Sequence, residues 1–424
     1  MVINQEVKDF IIQDATSRFI RYVQIWTTSD VNSSSLPSTK CQFDLAKLLY
    51  NELESLSLKN IVLDENCYVY ADIPASPGLE KAKKIGLIAH LDTSEMVSGE
   101  NVEPVLHEKY DGSPIHFTKQ KDISLTSEDS LELNNYIGYD IITSSGDTLL
   151  GADDKAGIAE IMTACAVWNR YPQFKHGPIA ICFTPDEEIG KGTDNIDKSR
   201  LPERCYTLDG SKMGELEIEC FDARKAIITF NGISVHPGYA KNLLVNAVQI
   251  ASRFISDLPE HQTPEHTEER EGFFHLSQLH GTVEKATASI LLRDFDSEKN
   301  ENRKKFLNQL KDLYELRYPG LKIEIEYLYQ YKNMLTFLEK QPEVIDLAKK
   351  AIEMADLELD MHLIRGGTDG ARLSEMGIPT PNLFAGGLLF HSRKEYIPTI
   401  SMQKACEVII HLAELWSKKL KNET

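Results

Sequence analysis

Five side chains of metal-binding type follow or flank apolar runs at widely separated points of the chain, and this pattern restricts the fold more than any other feature. They are His90, Asp153, Glu188, Asp209 and His391. Short runs rich in Ile, Leu, Val and Phe precede at least His90, Glu188, Asp209 and His391, as buried strands would. Because ligands of an open α/β sheet bind beyond the carboxyl ends of its strands, we expect all five to converge on one edge of a sheet.

The chemistry of this set indicates two metal ions. Imidazole nitrogens and carboxylate oxygens are the ligands of zinc sites that keep a position open for water, whereas the thiolates that close structural sites are absent from the five. Two divalent cations bring four positive charges, the three carboxylates neutralise three, and a bridging hydroxide would neutralise the fourth. The set is therefore balanced for a metal-activated water.

Charge and cysteine content argue against several classes of protein. Lys and Arg number 46 and Asp and Glu 65, so the formal charge of -19 speaks against a broad basic face for nucleic acid. No run approaches the roughly 20 consecutive apolar residues of a membrane helix, and the amino-terminal segment carries charges of both signs, unlike a signal peptide. We therefore expect a cytoplasmic protein that binds neither nucleic acid nor membrane. Free thiols are expected for the seven widely spaced cysteines, Cys41, Cys67, Cys165, Cys182, Cys205, Cys220 and Cys406.

Residues 61–213 alternate strand-like runs with helical patterns. The run IGLIAH at 85–90 precedes apolar residues at helical spacing from Ile158 to Cys165, and IAICF at 179–183 follows them. This alternation predicts an α/β domain with a mostly parallel mixed sheet flanked by helices.

The pattern changes from about residue 214. Strand-like sequence precedes a helical pattern from Leu244 to Leu258, which Pro259 would end. Two further strands, a charged helix from Ser297 and a last strand, LKIEIEYLYQY, complete the order βαββαβ of an α+β ferredoxin-like unit. We expect 214–331 to be an inserted lid or dimerisation-type domain.

The remaining segments would form one discontinuous zinc-binding catalytic domain from 1–213 and 332–424, because His391 must return to the first domain's site. The return segment predicts a helix at 342–356, a loop at 364–382, a strand before His391 and a closing helix at 402–420. A cleft between the two domains is the expected place for a substrate.

Several motifs have a simpler interpretation when taken alone. His90 and Asp92 form H-x-D, in which the carboxylate could fix the tautomer of the ring, but the same pair occurs in solvated turns. Asp154, between an apolar run and a helical pattern, fits a helix cap. Asp209 alone fits a turn, and His391 alone fits a histidine satisfied within the fold.

The acidic run P-D-E-E-I-G likewise fits either a solvated loop or a metal site. Its three adjacent negative charges repel one another, and cations would relieve that repulsion. If Glu188 is a ligand, Glu187 lies within reach of the metal-bound water and can act as general base.

Taken in order, the motifs resemble the peptidase T family of aminotripeptidases within the zinc-dependent M20 peptidases. The resemblance runs through almost the whole chain, in the segments HLDTS, LLGADDKAGIAEI, FTPDEEIGKG, YTLDG, GISVHPGYAKNLLVNA, EGFFHLSQLHGTVEKA, LLRDFD and IRGGTDGARLSEMGIPTPNLFAGG. It implies two zinc ions per subunit and assembly as a homodimer. One ion would be held by His90, Asp153 and Asp209, and the other by Asp153, Glu188 and His391.

The resemblance also implies roles beyond the metal ligands. Asp92 would orient the site and Glu187 would accept the proton. His236, in S-V-H-P-G, would polarise the scissile carbonyl and stabilise the oxyanion. Arg293 and Arg365 would bind the terminal carboxylate of a peptide, since a guanidinium matches it bidentately, although each also fits a structural ion pair.

The chain departs from the family pattern around His391. Members of the family usually carry an aromatic–asparagine pair before this histidine and a glycine after it. Here Leu388 and Leu389 precede Phe390, and Ser392 with Arg393 follow the histidine. This loop is expected to help shape the substrate pocket.

These observations predict a metallo-aminopeptidase that removes the amino-terminal residue of short peptides, using a zinc-bridging hydroxide with Glu187 as general base. A related M20 amidohydrolase or dipeptidase, acting on N-acyl amino acids or dipeptides, would use the same metals with another pocket. A non-catalytic peptide- or metal-binding protein is the third interpretation, and the presence of Glu187 beside Glu188 speaks against it.

Overall fold

A computed structural model gives the fold and describes residues 2–420. Among these residues the α-helices are α1 (Gln5–Val23), α2 (Gln42–Ser55), α3 (Ala152–Arg170), α4 (Ala247–Ser256), α5 (Ser297–Arg317), α6 (Leu335–Leu338), α7 (Pro342–Met354), α8 (Asp369–Glu375) and α9 (Thr399–Ser417). The strands are β1 (Lys59–Leu63), β2 (Val69–Ile73), β3 (Ile85–His90), β4 (Val105–His107), β5 (Ile115–His116), β6 (Ser124–Leu125), β7 (Ile141–Thr143), β8 (Ile179–Thr184), β9 (Cys205–Gly210), β10 (Leu216–Glu217), β11 (Glu219–Cys220), β12 (Asp222–Asn231), β13 (Phe273–Gly281), β14 (Lys285–Asp294), β15 (Lys322–Tyr331), β16 (Leu363–Ile364), β17 (Asn382–Phe384) and β18 (Tyr396–Pro398).

The described residues divide into two compact units. The first contains the residues up to Ile218, then Phe337–His362, and the residues from Thr368 onward. The second contains Glu219–Thr336 and Leu363–Gly367.

Four parallel strands form the centre of the sheet in the first unit. Its seven strands pair in the order β1-β2-β8-β3-β9-β17-β10. The strands β8, β3, β9 and β17 are parallel neighbours. At one side β2 pairs antiparallel with β8 and β1 pairs antiparallel with β2, and at the other side β10 pairs antiparallel with β17. Both β3 and β8 are buried along their whole length, as strands covered on two faces must be. The predicted mostly parallel mixed sheet is confirmed.

Helices pack against both faces of this sheet. Successive side chains of β9 point to opposite faces, so Leu208 meets α3 at Gly157 while Cys205 packs with Leu373 of α8. A Cβ atom on Gly157 would lie 2.0 Å from the carbonyl oxygen of Leu208. Only glycine therefore lets α3 approach β9 this closely, and α3 carries Asp153 in its first turn.

The second unit is an antiparallel sheet with two helices on one face. Its elements follow in the order β12-α4-β13-β14-α5-β15, and the strands pair in the order β13-β14-β12-β15. Alternate residues of the two central strands, such as Ala226, Ile228 and Phe230 of β12, are buried in one core with Phe254 of α4 and Leu307 of α5. The ferredoxin-like order βαββαβ predicted from the sequence is confirmed.

Three local predictions differ from the structure. The helix predicted from Leu244 begins later, as α4, because the side chain of Asn246 caps it by accepting from the Gln249 amide. The predicted loop at 364–382 contains the short helix α8, which begins where Thr368 caps the Ala371 amide. The strand predicted to lead to His391 is β17, which ends at Phe384, so a loop carries the histidine.

Two whole-chain expectations concern cysteines and membranes. All seven cysteines are free thiols, and six of them are buried. Within residues 2–420, no helix combines the length and apolar character that crossing a bilayer requires.

Candidate metal centre

His90 and Asp209 lie at the carboxyl ends of two neighbouring parallel strands. His90 is the last residue of β3 and Asp209 the last but one of β9. The register that pairs Ile88 with Thr207 leads directly to them. As a result, Nε2 of His90 is 3.4 Å from Oδ1 of Asp209.

Asp153 lies between two imidazole rings. Its Oδ1 is 2.9 Å from Nε2 of His90, and its Oδ2 is 3.0 Å from Nε2 of His391. Burial alone would raise the pKa of Asp153, but the hydrogen bonds with His391 and His90 hold that pKa below its usual value. One carboxylate thus offers an oxygen to each side, as a ligand shared by two cations would.

Glu188 completes the cluster beside His391. Nε2 of His391 is 3.1 Å from Oε2 of Glu188. The other oxygen, Oε1 of Glu188, is buried and has no hydrogen-bond partner among the described residues. Burial and the negative charge of Asp153 raise the pKa of Glu188 to about 7, and hydrogen bonds to Asp153 and Glu188 raise the pKa of His391 to about 11. An unpartnered buried oxygen next to an imidazole suits a metal ligand.

The site holds an excess of buried negative charge. Burial raises the pKa of Asp209 to about 6 and that of Asp369 to about 7. Burial and the charge of Asp209 raise the pKa values of Asp154 and Glu187 well above the usual range. Divalent cations would remove this repulsion and let the carboxylates ionise, so the donor set fits metal ions.

Two groups of three side chains each bring their potential ligand atoms within 4.8 Å of one another. One contains His90, Asp153 and Glu188, and the other contains His90, Asp154 and Asp209. The two oxygens of Asp154, however, accept hydrogen bonds from the amides of His90 and Gly157, at 3.0 and 3.2 Å. Asp154 therefore fastens the end of β3 to the first turn of α3, which extends the helix-cap interpretation.

Asp92 contacts the site differently from the H-x-D expectation. Nδ1 of His90 is 3.0 Å from the backbone carbonyl oxygen of Asp92, whereas the nearest carboxylate oxygen is 3.5 Å away. That carboxylate accepts instead from the amides of Glu187 and Glu188, at 2.9 and 3.2 Å. Asp92 thus orients both the ring of His90 and the acidic turn.

The acidic turn is also held from its other side. Glu187 and Glu188 begin a short 3-10 turn that follows β8, and the preceding Asp186 has φ 57°. The buried carboxylate of Asp186 accepts from the Ser38 amide at 2.6 Å and from the Gln42 side chain at 2.7 Å. Fixed on both sides, the turn presents Glu187 next to the cluster.

Comparison with known proteins identifies the family of this chain. Residues 219–321 match the family model of the peptidase dimerisation domain. Peptidase T of Clostridium acetobutylicum is 44% identical over 410 residues, which cover 96% of this chain and 100% of the relative. The chain belongs to the peptidase T family.

Solved structures agree in fold with this peptidase T family member. The aminopeptidase PepT from Bacillus cereus has a TM-score of 0.74 at 22% identity and covers 96% of this chain and 99% of its own. A tripeptidase from Staphylococcus aureus has a TM-score of 0.76 at 20% identity with the same coverage. The α/β unit with a ferredoxin-like second unit is thus a fold shared with M20 peptidases.

Three residues predicted to bind substrate lie in the second unit of this peptidase T family member. His236 is exposed, and its Nδ1 accepts from the Gly238 amide at 3.1 Å. Arg293 is buried and donates to the carbonyl oxygens of Arg224 and Leu292. No comparison tests the substrate roles, and for His236 and Arg293 they stay predictions.

Arg365 stabilises a loop within the same unit. Its guanidinium donates to the carbonyl oxygens of Glu269 and Glu271, at 2.7 and 3.0 Å, and to the hydroxyl of Thr267 at 2.9 Å. The planar group also lies over the ring of Phe221. Its predicted contact with a peptide carboxylate would have to compete with these bonds, and it too stays a prediction.

Sequence reasoning missed two carboxylates around the peptidase T site, the buried Asp369 and the half-buried Glu217. Asp369 accepts from the hydroxyl of Thr184, at the end of β8, at 2.7 Å. Glu217 accepts from the side-chain amide of Asn382, whose oxygen accepts from the Asp209 amide. Asp369 follows a threonine in a glycine-rich segment and Glu217 is the middle one of three alternating acidic residues. Neither pattern indicates a metal site, so only the fold reveals their neighbours.

Proposed function

We propose that this protein is a two-zinc aminopeptidase that removes the amino-terminal residue from short peptides, with tripeptides as the main substrates. Its membership of the peptidase T family supports the activity. The observation that carries the proposal is the carboxylate of Asp153, which offers one oxygen to His90 and the other to His391.

We assign one zinc ion to His90, Asp153 and Asp209, and the other to Asp153, Glu188 and His391. The assignment is supported by the spacing of their ligand atoms and by the unpartnered Oε1 of Glu188. Asp153 is preferred to its neighbour Asp154 as the shared ligand because both oxygens of the neighbour already accept backbone amides.

Zinc bound there would lower the pKa of a water molecule to about 7 and polarise the scissile carbonyl. The protein's own residues supply proton transfer and orientation. Glu187, ionised once bound cations have removed the repulsion between the carboxylates, takes a proton from the attacking water and passes it to the leaving amine. Asp92 holds the backbone of Glu187 by accepting from its amide.

In the second unit we propose His236 as the residue that stabilises the developing oxyanion. Its exposed ring uses Nδ1 to accept from the Gly238 amide, so Nε2 is the nitrogen that would donate to a substrate oxygen. Arg293 and Arg365 are proposed to bind the terminal carboxylate of the peptide. To do so, each would share or exchange the backbone carbonyl oxygens to which it now donates. A homodimer through the dimerisation-type unit and a cytoplasmic location complete the proposal.

The experiment is an assay of zinc-loaded protein against a dipeptide, a tripeptide and a tetrapeptide that begin with the same residues. Each peptide is tested with a free and with an acetylated amino terminus. We expect hydrolysis of the tripeptide with a free amino terminus, which releases its first residue, and little hydrolysis of the acetylated peptides. Equal hydrolysis of free and acetylated tripeptides would overturn the aminopeptidase assignment in favour of an M20 amidohydrolase. Zinc binding without any hydrolysis would leave a binding protein.

A further inference from the structure

Glu395 lies at the centre of a hydrogen-bonded contact between two ligand-bearing segments. The side chain is 1% exposed. Its Oε2 accepts from the amides of Leu150 and Gly151, at 2.7 and 2.9 Å, and its Oε1 accepts from the amides of Ala152 and Asp153, at 2.7 and 3.3 Å. One carboxylate thus binds four consecutive backbone amides that end at Asp153.

These four amides precede the regular part of α3, because Asp153 and Asp154 have non-helical backbone angles. The helix itself is capped by Asp154, whose Oδ1 accepts from the amide of Gly157 at 3.2 Å. Glu395, from a distant part of the chain, therefore holds the non-helical turn that leads from Leu150 to Asp153.

The same side chain connects Asp153 to His391. Glu395 lies four residues after His391 and directly before β18, where Tyr396 pairs with Thr143 of β7. The position of the loop that carries His391 and that of the turn that carries Asp153 are therefore set by one contact. A shift of either segment would change the 3.0 Å separation between Oδ2 of Asp153 and Nε2 of His391.

We propose that Glu395 is a positioning residue for the metal centre, which sets zinc affinity by holding Asp153 between the two histidines. The proposal rests on the proposed function, in that Asp153 is taken as the shared zinc ligand. Glu395 itself touches neither a ligand atom nor a substrate. It acts through the backbone of the turn at 150–153.

The test is a titration of metal-free protein with zinc chloride, followed by calorimetry, for the wild type and three variants. Glu395→Gln keeps the size of the side chain but turns an N–H group toward amides that need an acceptor. Glu395→Asp keeps the charge and shortens the reach. The matched control is Glu407→Gln, because Glu407 is 2% exposed and hydrogen-bonded to Gln403 in α9, away from the ligand segments.

We expect Glu395→Gln to weaken zinc binding about 10- to 100-fold, the usual effect of losing a group that orients a ligand. Glu395→Asp should fall between it and the wild type, and Glu407→Gln should bind zinc like the wild type even where its melting temperature is lowered. Folded Glu395→Gln with wild-type affinity would overturn the proposal. So would failure of both Glu395 variants to fold when Glu407→Gln folds, since Glu395 would then serve the fold alone. Wild-type protein that binds no zinc would instead overturn the proposed function, and this inference with it.

Discussion

Gly157→Ala is a substitution for which helix propensity and packing predict opposite results. In an exposed helix interior, Gly→Ala stabilises by about 1 kcal/mol. At position 157, however, the new Cβ would lie 2.0 Å from the carbonyl oxygen of Leu208 and 2.5 Å from Oδ1 of Asp154, whereas ordinary contact begins at 3.4 Å. Helix α3 would have to withdraw from β9 by about 1.4 Å, the difference between 3.4 and 2.0 Å.

The packing term decides the sign. Overpacking a core costs about 1–3 kcal/mol, and we expect the upper part of that range, about 2–3 kcal/mol, because the new Cβ meets a backbone oxygen. Subtracting the gain of about 1 kcal/mol in helix propensity leaves a net loss of about 1–2 kcal/mol. The withdrawal also moves the first turn of α3, which carries Asp153, relative to Asp209 of β9. We therefore expect weaker zinc binding together with the lower stability.

Urea unfolding of the metal-free protein measures the first effect, and a zinc titration measures the second. The control is Gly366→Ala, where the nearest atom to a new Cβ is 3.9 Å away, and its urea midpoint should stay close to that of the wild type. A Gly157→Ala protein as stable as the wild type, with unchanged zinc affinity, would refute the claim that glycine is required for the approach of α3 to β9.

Three further predictions concern single side chains. Glu187→Ala should lower kcat about 10²- to 10⁴-fold as a lost general base while metal analysis finds the zinc content unchanged, and retained turnover would remove Glu187 from the mechanism. Asp153→Ala should lose both zinc ions on dialysis whereas Glu188→Ala should keep one, and a single ion retained by Asp153→Ala would contradict a shared ligand. Glu160 is buried in α3, and neither of its carboxylate oxygens has a hydrogen-bond partner among the described residues, so burial raises its pKa well above the usual 4.5. The folded protein therefore keeps a proton that the unfolded chain releases above that pH, and this group's contribution to stability falls as pH rises. Glu160→Met should remove that slope and raise the urea midpoint at pH 8, and an unchanged pH dependence would show that Glu160 is not its source.

Much of the fold follows from periodicity in the sequence. The buried strands β3 and β8 are continuous apolar runs, and β12 alternates buried and half-buried residues over Ala226, Ile228 and Phe230. Such patterns are local, and they are strong because a whole face must be buried. The position of α8 and the start of α4 were harder to predict from the sequence, because a single capping residue decides each of them, Thr368 for α8 and Asn246 for α4.

The candidate site divides in the same way. Residue type and the position of His90 and Asp209 after apolar runs predicted that these two would meet, because parallel strands end at one edge. The path to His391 was predicted less well. A loop with Leu389 and His391 at positive φ of 56° and 58° carries that ring to the cluster, and no period in the sequence encodes such a path.

The sequence by itself determined which functional side chains this protein has and the order of its helices and strands. Both depend only on residue type and on the short-range spacing of apolar residues. The sequence also carried the motifs of the peptidase T family. Only the tertiary structure decided which carboxylates beside the metal centre are engaged as supports rather than as ligands. Asp154 and Glu395 have the same chemistry as a ligand, but backbone amides already occupy their oxygens. Hydrogen bonds between segments far apart in the chain depend on the folded path, and that path brings Glu395 to the turn of Asp153.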